Sequence, residues 1–326
     1  MHIKSNSAFL LTIYLVMGIG AFLIVTAIVG SGVSSNNIAE NKPVKTEKID
    51  LNSDKKAASR QFDYQPEQPV NGTLQGVVEI GATGFNSFVI LVDSQERWEI
   101  VAKDFGTSLV YEGLATTEDL EQGIKKYLSK MFDDAVKREN IHIVISSGAQ
   151  KNPLIDTIAI DLVKKGYTID MVTPDLEAKF GFFATVPKSF RENSFFLDIG
   201  SGNTKIAWQV NGKIFTRETA GSKYYEKSIP DSIVYKEVFE QVISIPEKNR
   251  AFCFVLGGVP FQMAEQTRSL QERYTVLSTA DKYEASNQRM ASGLNIYNAI
   301  SDATRCKFFV FDWDANFSIG YLLITK

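Results

Sequence analysis

Two acidic residues, Glu79 and Asp198, each stand directly before a glycine-rich turn, 119 positions apart. The first opens the string EIGATG at 79–84 and the second opens DIGSGNTK at 198–205. A turn without Cβ atoms lets successive backbone N–H groups close around an anion. A carboxylate at the strand end can hold a hydrated divalent cation beside that anion. One such turn is weak evidence, because many ordinary hairpins contain glycine. Two of the same pattern, spaced as in two similar lobes, favour a pair of phosphate loops facing across a cleft. Neither string is a GxxxxGK[ST] loop, and no GxGxxG follows a strand.

The elements that must position these turns alternate between strand and helix patterns. Apolar runs at 77–80 and 88–92 flank the first turn, and runs at 195–197 and 206–210 flank the second. Leu120, Ile124, Leu128, Met131 and Ala135 recur at helical spacing after Thr116 or Thr117. A strand is predicted over 141–147, followed by a helix capped by Asn152 with Pro153 in its first turn. A further strand at 167–172 runs into Thr173-Pro174, a cap and first-turn pair that opens a helix carrying Glu177. Alternation of this kind builds helices against mixed sheets.

Composition narrows the function. With 44% apolar and 22% charged residues, the chain can bury a large core. A net charge of -3 and the lack of a basic stripe exclude an ordinary nucleic-acid binder. Only His2, His142, Cys253 and Cys306 could supply imidazole or thiolate, which excludes a zinc site. His142 lies in an alternating strand-like run and Cys253 in an apolar one, so both read as structural.

The N-terminal part has a different character. Residues 1–7 form a short tail, and residues 8–30 carry no charged side chain. At about 1.5 Å per residue that span crosses a bilayer core. It is longer than a signal-peptide core, which predicts an uncleaved transmembrane anchor. Lys4 and the terminal amine before it favour an extracytoplasmic, periplasmic folded part. Lys42, Lys45 and Lys48 weigh the other way, diluted over a long flank. Residues 31–75 read as a flexible linker, since their scattered charges and prolines show no sustained apolar periodicity.

The motifs resemble those of the exopolyphosphatase/guanosine-pentaphosphatase (Ppx/GppA) family. The string at 198–204 resembles its DIGGGST motif, and EIGAT at 79–83 resembles its DIGSNS motif. VTPDLEAK at 172–179 is similar to its ISGEEEAR segment, and FGTSL at 105–109 with Gly113-Leu114 is similar to LGEGL…G. VLGG at 255–258 resembles a late GGT turn, while 293–296 and 312–320 resemble the last helix and strand. The likeness covers nearly all of 76–326 in the right order; that order is its specific part.

The resemblance implies a two-lobed actin-like ATPase (ribonuclease H-like) fold with mixed sheets and flanking helices, preceded by one transmembrane helix. Lobe I would span 76–187 and lobe II 188–326. It implies Glu177 as general base on the attacking water and Asp198 at a magnesium ion, with Glu79 as the other metal-associated acid. Phosphate contacts would come from Gly81, Ala82, Thr83, Gly200, Ser201, Gly202, Asn203, Thr204, Lys205, Gly257 and Gly258. The implied activity is phosphoanhydride hydrolysis of polyphosphate, guanosine polyphosphate or a nucleotide. The implied partners are that ligand, the membrane, and a second copy of the chain or an envelope protein.

Four departures weigh against full activity. Glu79 replaces the first aspartate, and Lys205 replaces the acid that ends the second motif. Gln150, beside Lys151, stands where the family has an arginine, and Ser318-Ile319 stand where it has Arg-Glu. Lys205 can bind phosphate directly but would repel a cation. The alternative reading is therefore a catalytically inactive actin-fold scaffold or sensor in the cell envelope.

Overall fold

The computed structural model describes residues 62–81, 84–107, 117–268 and 270–325. The transmembrane anchor expected at 8–30 lies outside them, and among the described residues no helix is long and apolar enough to cross a membrane.

Two mixed sheets are built on one plan. In the first, β1 (Thr73–Ile80), β2 (Gly84–Val92) and β3 (Trp98–Thr107) form an antiparallel meander. β4 (Ile141–Ile145) pairs parallel to β1, and β5 (Ile169–Met171) pairs parallel to β4. In the second, β6 (Ser194–Ile199), β7 (Asn203–Val210) and β8 (Lys213–Ala220) repeat the meander. β9 (Phe252–Leu256) and β11 (Phe308–Asp312) continue the second sheet in parallel, and β10 (Tyr274–Leu277) closes its edge antiparallel to β11. The resulting orders are β3-β2-β1-β4-β5 and β8-β7-β6-β9-β11-β10.

Both faces of each sheet are covered, as the near-continuous apolar strands require. Successive strand residues point to opposite faces. Val78 therefore packs with α1 (Thr117–Asp133) and α2 (Leu154–Lys164), through Ile124, Leu128, Met131, Ile155, Ile158 and Leu162. Its neighbour Val77 packs on the other face, with Ile319, Leu322 and Leu323 of α7 (Phe317–Ile324). In the second sheet, Phe195 faces α4 (Asp231–Val242), α5 (Gly258–Thr267) and α6 (Gln288–Thr304). Phe196 faces Ala178 and Phe182 of α3 (Pro174–Thr185).

Each half thus lends its last helix to the middle of the molecule. α3 leaves β5 of the first sheet and packs on the second, whereas α7 leaves β11 of the second and packs on the first. Within the 188–326 expected as lobe II, the C-terminal helix packs in the core of the first sheet. The two helices cross closely: a Cβ on Gly320 would lie 1.8 Å from the Phe180 carbonyl oxygen, so only glycine fits.

The linker expected at 31–75 also ends earlier. β1 begins at Thr73, and the segment before it is docked. Phe62 sits 5.4 Å from the rings of both Phe190 and Tyr274 and packs edge-on to Phe252 and Phe254. Tyr64 packs on Phe190 and Tyr274, and the Val70 N–H donates to Asp93 at 3.0 Å. Aromatic burial offsets the chain entropy that the polar composition alone suggested would win.

Smaller expectations resolve similarly. α1 buries Ile124, Leu128 and Met131 but stops at Asp133, and Ala135 adopts a left-handed φ of 62° past its end. The Thr173 hydroxyl accepts from the Leu176 N–H and caps α3, with Pro174 in the first turn. His142 meets the hydroxyl of Tyr321 on α7 at 3.3 Å, a packing role. Cys253 and Cys306 are free and buried.

Candidate functional site

The two glycine turns are built alike. Gly81 N–H donates to the Gly84 carbonyl at 2.8 Å, and Gly200 N–H donates to the Asn203 carbonyl at 3.1 Å. The acid before each turn lies opposite a residue of the returning strand. Glu79 is in register with Asn86, and Asp198 with Lys205. All four side chains line one cleft of about 1010 Å³, whose walls come from both sheets.

Glu177, from the first turn of α3, is buried on the cleft floor. Its Oε1 accepts from the Ser147 N–H at 2.5 Å, just past the end of β4. Its Oε2 receives the Lys205 ammonium at 2.8 Å, and the same ammonium reaches Asp198 Oδ2 at 3.5 Å. A connected path therefore runs from the first sheet through Glu177 and Lys205 to Asp198 in the second. Burial alone would lower the proton affinity of Lys205, but Asp198 and Glu177 together raise it above the ordinary lysine value. Lys205 thus holds its proton more tightly than an ordinary lysine while almost fully enclosed, with 8% of the residue exposed.

Among the described residues no cation contacts Glu79 in this way. Burial pushes its carboxyl up to about 7, against hydrogen bonds from the Asn86 and Asn316 amides and the more distant charge of Lys205. The nearby Glu177 charge adds to the upward push. Asn86 Nδ2 donates to Glu79 Oε2 at 2.8 Å.

The second turn is fastened from behind. The Gly200 and Ser201 carbonyls accept from the N–H groups of Ser222 and Lys223 at 2.9 and 3.0 Å. From the opposite wall, Lys151 Nζ stands 3.5 Å from the position a Cβ on Gly202 would take. Gly257, at φ 104°, closes the floor: a Cβ there would lie 2.5 Å from the Ile199 carbonyl oxygen and 2.7 Å from Asp198 Oδ1. Two lining residues are held by partners behind the cleft surface: Lys103 of β3 pairs with Asp314 at 2.9 Å, and the buried Asp312 is bonded by Arg273, which lies over Trp98 at 4.5 Å.

Of the residues singled out in the sequence, Glu79, Glu177, Asp198, Gly200, Ser201, Gly202, Asn203, Lys205, Gly257 and Gly258 converge on this cleft. Gly81 forms the turn behind Glu79, whereas Ala82 and Thr83 lie outside the described residues. Thr204 is a correction. Its hydroxyl donates to the Ala220 carbonyl at 2.8 Å, which pins β7 to β8, and the residue is fully buried and does not line the cleft. Gln150 also turns away, bonding the Ile145 and Val172 carbonyls, and Lys151 takes the cleft position beside it. Ser318 is buried under its cap, Asn316, and it is Asn316 that lines the cleft.

The sequence reading passed over Asn86, Asn316 and Arg289, all of which line the cleft. Asn86 had a usable signal, since it stands 119 positions before Lys205, at the offset that relates the two acids. Arg289 on α6 and Asn316 before α7 belong to no repeated string.

The residues present do not fit the magnesium ion assigned to Glu79 and Asp198. Among the described residues no group of three or more acidic, histidine or cysteine side chains could hold a metal. The Lys205 ammonium is seated between Glu177 and Asp198, so Asp198 already faces a positive charge.

No protein-family model matches the sequence, and a search of curated proteins gives no match. Solved structures do match. A Ppx/GppA family member from Aquifex aeolicus superposes with a TM-score of 0.60 at 14% identity, over 77% of this chain and 96% of its own. A PPX-GPPA enzyme from Aquifex aeolicus gives 0.62 at 13% identity, over 77% and 99%. An exopolyphosphatase from Cytophaga hutchinsonii gives 0.58 at 14% identity, over 78% and 97%. The fold expected from the motif order is therefore the observed one, the actin-like architecture of the Ppx/GppA proteins.

Proposed function

We propose that this chain binds the phosphate chain of polyphosphate, guanosine polyphosphate or a nucleotide in the cleft between its sheets, and hydrolyses it slowly or not at all. The Ppx/GppA architecture and the paired glycine turns support binding. The observation that carries the second half is the state of Glu177, the candidate general base. Both of its oxygens are committed, one to the Ser147 N–H and one to the Lys205 ammonium. A base must hold the attacking water within hydrogen-bond reach and take its proton, and here water must compete with two charge-assisted partners. Phosphoryl transfer also depends on cationic stabilisation of the departing charge, and the acid that would help hold a second cation is replaced by Lys205.

The proposal keeps the anchor at residues 8–30 and the extracytoplasmic placement of the folded part. In that setting the protein acts as a ligand-responsive scaffold or sensor of the envelope, and the ion triad of Glu177, Lys205 and Asp198 favours this reading over an efficient hydrolase.

The test is calorimetric binding of tripolyphosphate, guanosine tetraphosphate and ATP to the full chain, beside an assay of phosphate release from each. Measurable binding with little release is expected. Rapid turnover would overturn the low-activity half, and absence of binding by every phosphorylated ligand would overturn the whole.

A further inference from the structure

Lys205 is more than a charge reversal in a degenerate motif. Resting on the phosphate-binding reading above, we propose that its ammonium takes the place of the divalent cation, so that the cleft binds its phosphate ligand as a metal-free anion.

The geometry argues for substitution and not mere obstruction. The ammonium contacts Glu177 Oε2 at 2.8 Å and Asp198 Oδ2 at 3.5 Å, joining two carboxylates from different elements as a bound ion would. An ammonium has three N–H donors. Two point at the carboxylates, and Nζ itself stands beside the glycine turn, 3.8 Å from where a Cβ on Gly200 would be.

The repeat explains why this residue can do it. In both hairpins the residue opposite the acid gives that acid an N–H: Asn86 to Glu79, and Lys205 to Asp198. The amide ends there. The longer lysine arm goes on to Glu177, which ties the turn to α3.

A magnesium ion would need carboxylate oxygens at about 2.0–2.1 Å and several waters, with no ammonium already bound to the same oxygens. Placing it there sets a double charge against the fixed single one in a site largely shielded from solvent. Recruitment of a polyanion does not need it. Lys151, Lys223, Lys227 and Arg289 line the same cleft, among the acids Glu79, Glu177, Asp198, Glu226 and Asp312.

The experiment is calorimetric titration of the full chain with inorganic tripolyphosphate, once with excess EDTA and once with millimolar magnesium. Binding in EDTA as tight as in magnesium, or tighter because magnesium competes for the ligand, is expected. Tightening by magnesium of about tenfold or more would overturn the inference and leave the phosphate reading intact. No binding under either condition would remove both. As a second arm, Lys205→Glu should create a magnesium site: magnesium alone should raise the Tm of the variant and leave the unmodified protein unchanged. Magnesium raising both equally would overturn the inference, and the titration of the unmodified chain decides the matter where the variant does not fold.

Discussion

Replacing Glu79 by glutamine should stabilise the protein, and more so as pH rises. Glu79 is enclosed at 5% exposure, and burial moves its carboxyl from an ordinary value of 4.5 to about 7. Between those values the folded state holds a proton that the unfolded chain has lost. Stability therefore falls as pH rises through the folded value, and the cost is complete above it. The displacement from 4.5 to about 7 corresponds to about 3 kcal/mol at pH 8.5, from 1.36 kcal/mol per pH unit, and to under about 1 kcal/mol at pH 5. Glutamine resembles the protonated acid and can still accept from Asn86 Nδ2. It removes the penalty without removing the contact.

Urea unfolding of the two proteins at pH 5 and pH 8.5 measures this difference directly. The paired comparison cancels every other titrating group that the substitution leaves alone. The gain at pH 8.5 should raise Tm by roughly 2–4 °C per kcal/mol in a domain of this size. Equal stability at both pH values, or destabilisation by Glu79→Gln at pH 8.5, would refute the claim that burial governs this carboxyl. A stabilising effect of the same size at both pH values would refute the titration argument while leaving a packing gain.

Two further outcomes are expected. A chain starting at Thr73 should be less stable than one starting at Phe62 by roughly 2–4 kcal/mol, because the docked Phe62 and Tyr64 rings are lost; matching denaturation midpoints would show that the aromatic strap contributes nothing. A reporter enzyme active only outside the cytoplasm, fused after residue 326, should be active if residues 8–30 anchor the chain with its folded part exported; an inactive fusion, with a cytoplasmic reporter active at the same point, would reverse that orientation.

Much of the fold was legible because it is written in local patterns. The alternation through Phe195 and Phe196 places one ring in each of two cores, and Thr173-Pro174 marks a helix start that the structure reproduces. The return of α7 was not legible. Its eight residues, FSIGYLLI, bury six side chains or glycine positions, so the sequence says that the helix is enclosed. Nothing local says which sheet encloses it. The aromatic strap escaped for a related reason: Phe62 and Tyr64 stand in a polar segment, and only distant partners such as Phe190 and Tyr274 make their burial favourable. At the site, types were legible and directions were not. Gln150 and Lys151 are adjacent, yet one bonds the backbone and the other enters the cleft.

The repeat offset relates the surroundings of the two acids as well as their positions. Glu79 and Asp198 occupy equivalent places, and the residues opposite them, Asn86 and Lys205, are equivalent too. A buried or half-buried acid can be made tolerable by keeping its proton or by meeting a cation. The first half takes the former course: a neutral amide faces Glu79, whose carboxyl rises to about 7. The second half takes the latter, and the lysine that meets Asp198 also meets Glu177. The two solutions leave different chemistry behind. A carboxyl that can hold its proton near neutral pH weakens its own repulsion of a phosphate, whereas an ammonium seated between two carboxylates offsets their charge beside the glycine turn. Together they describe a cleft arranged to hold an anion, with its candidate base already engaged.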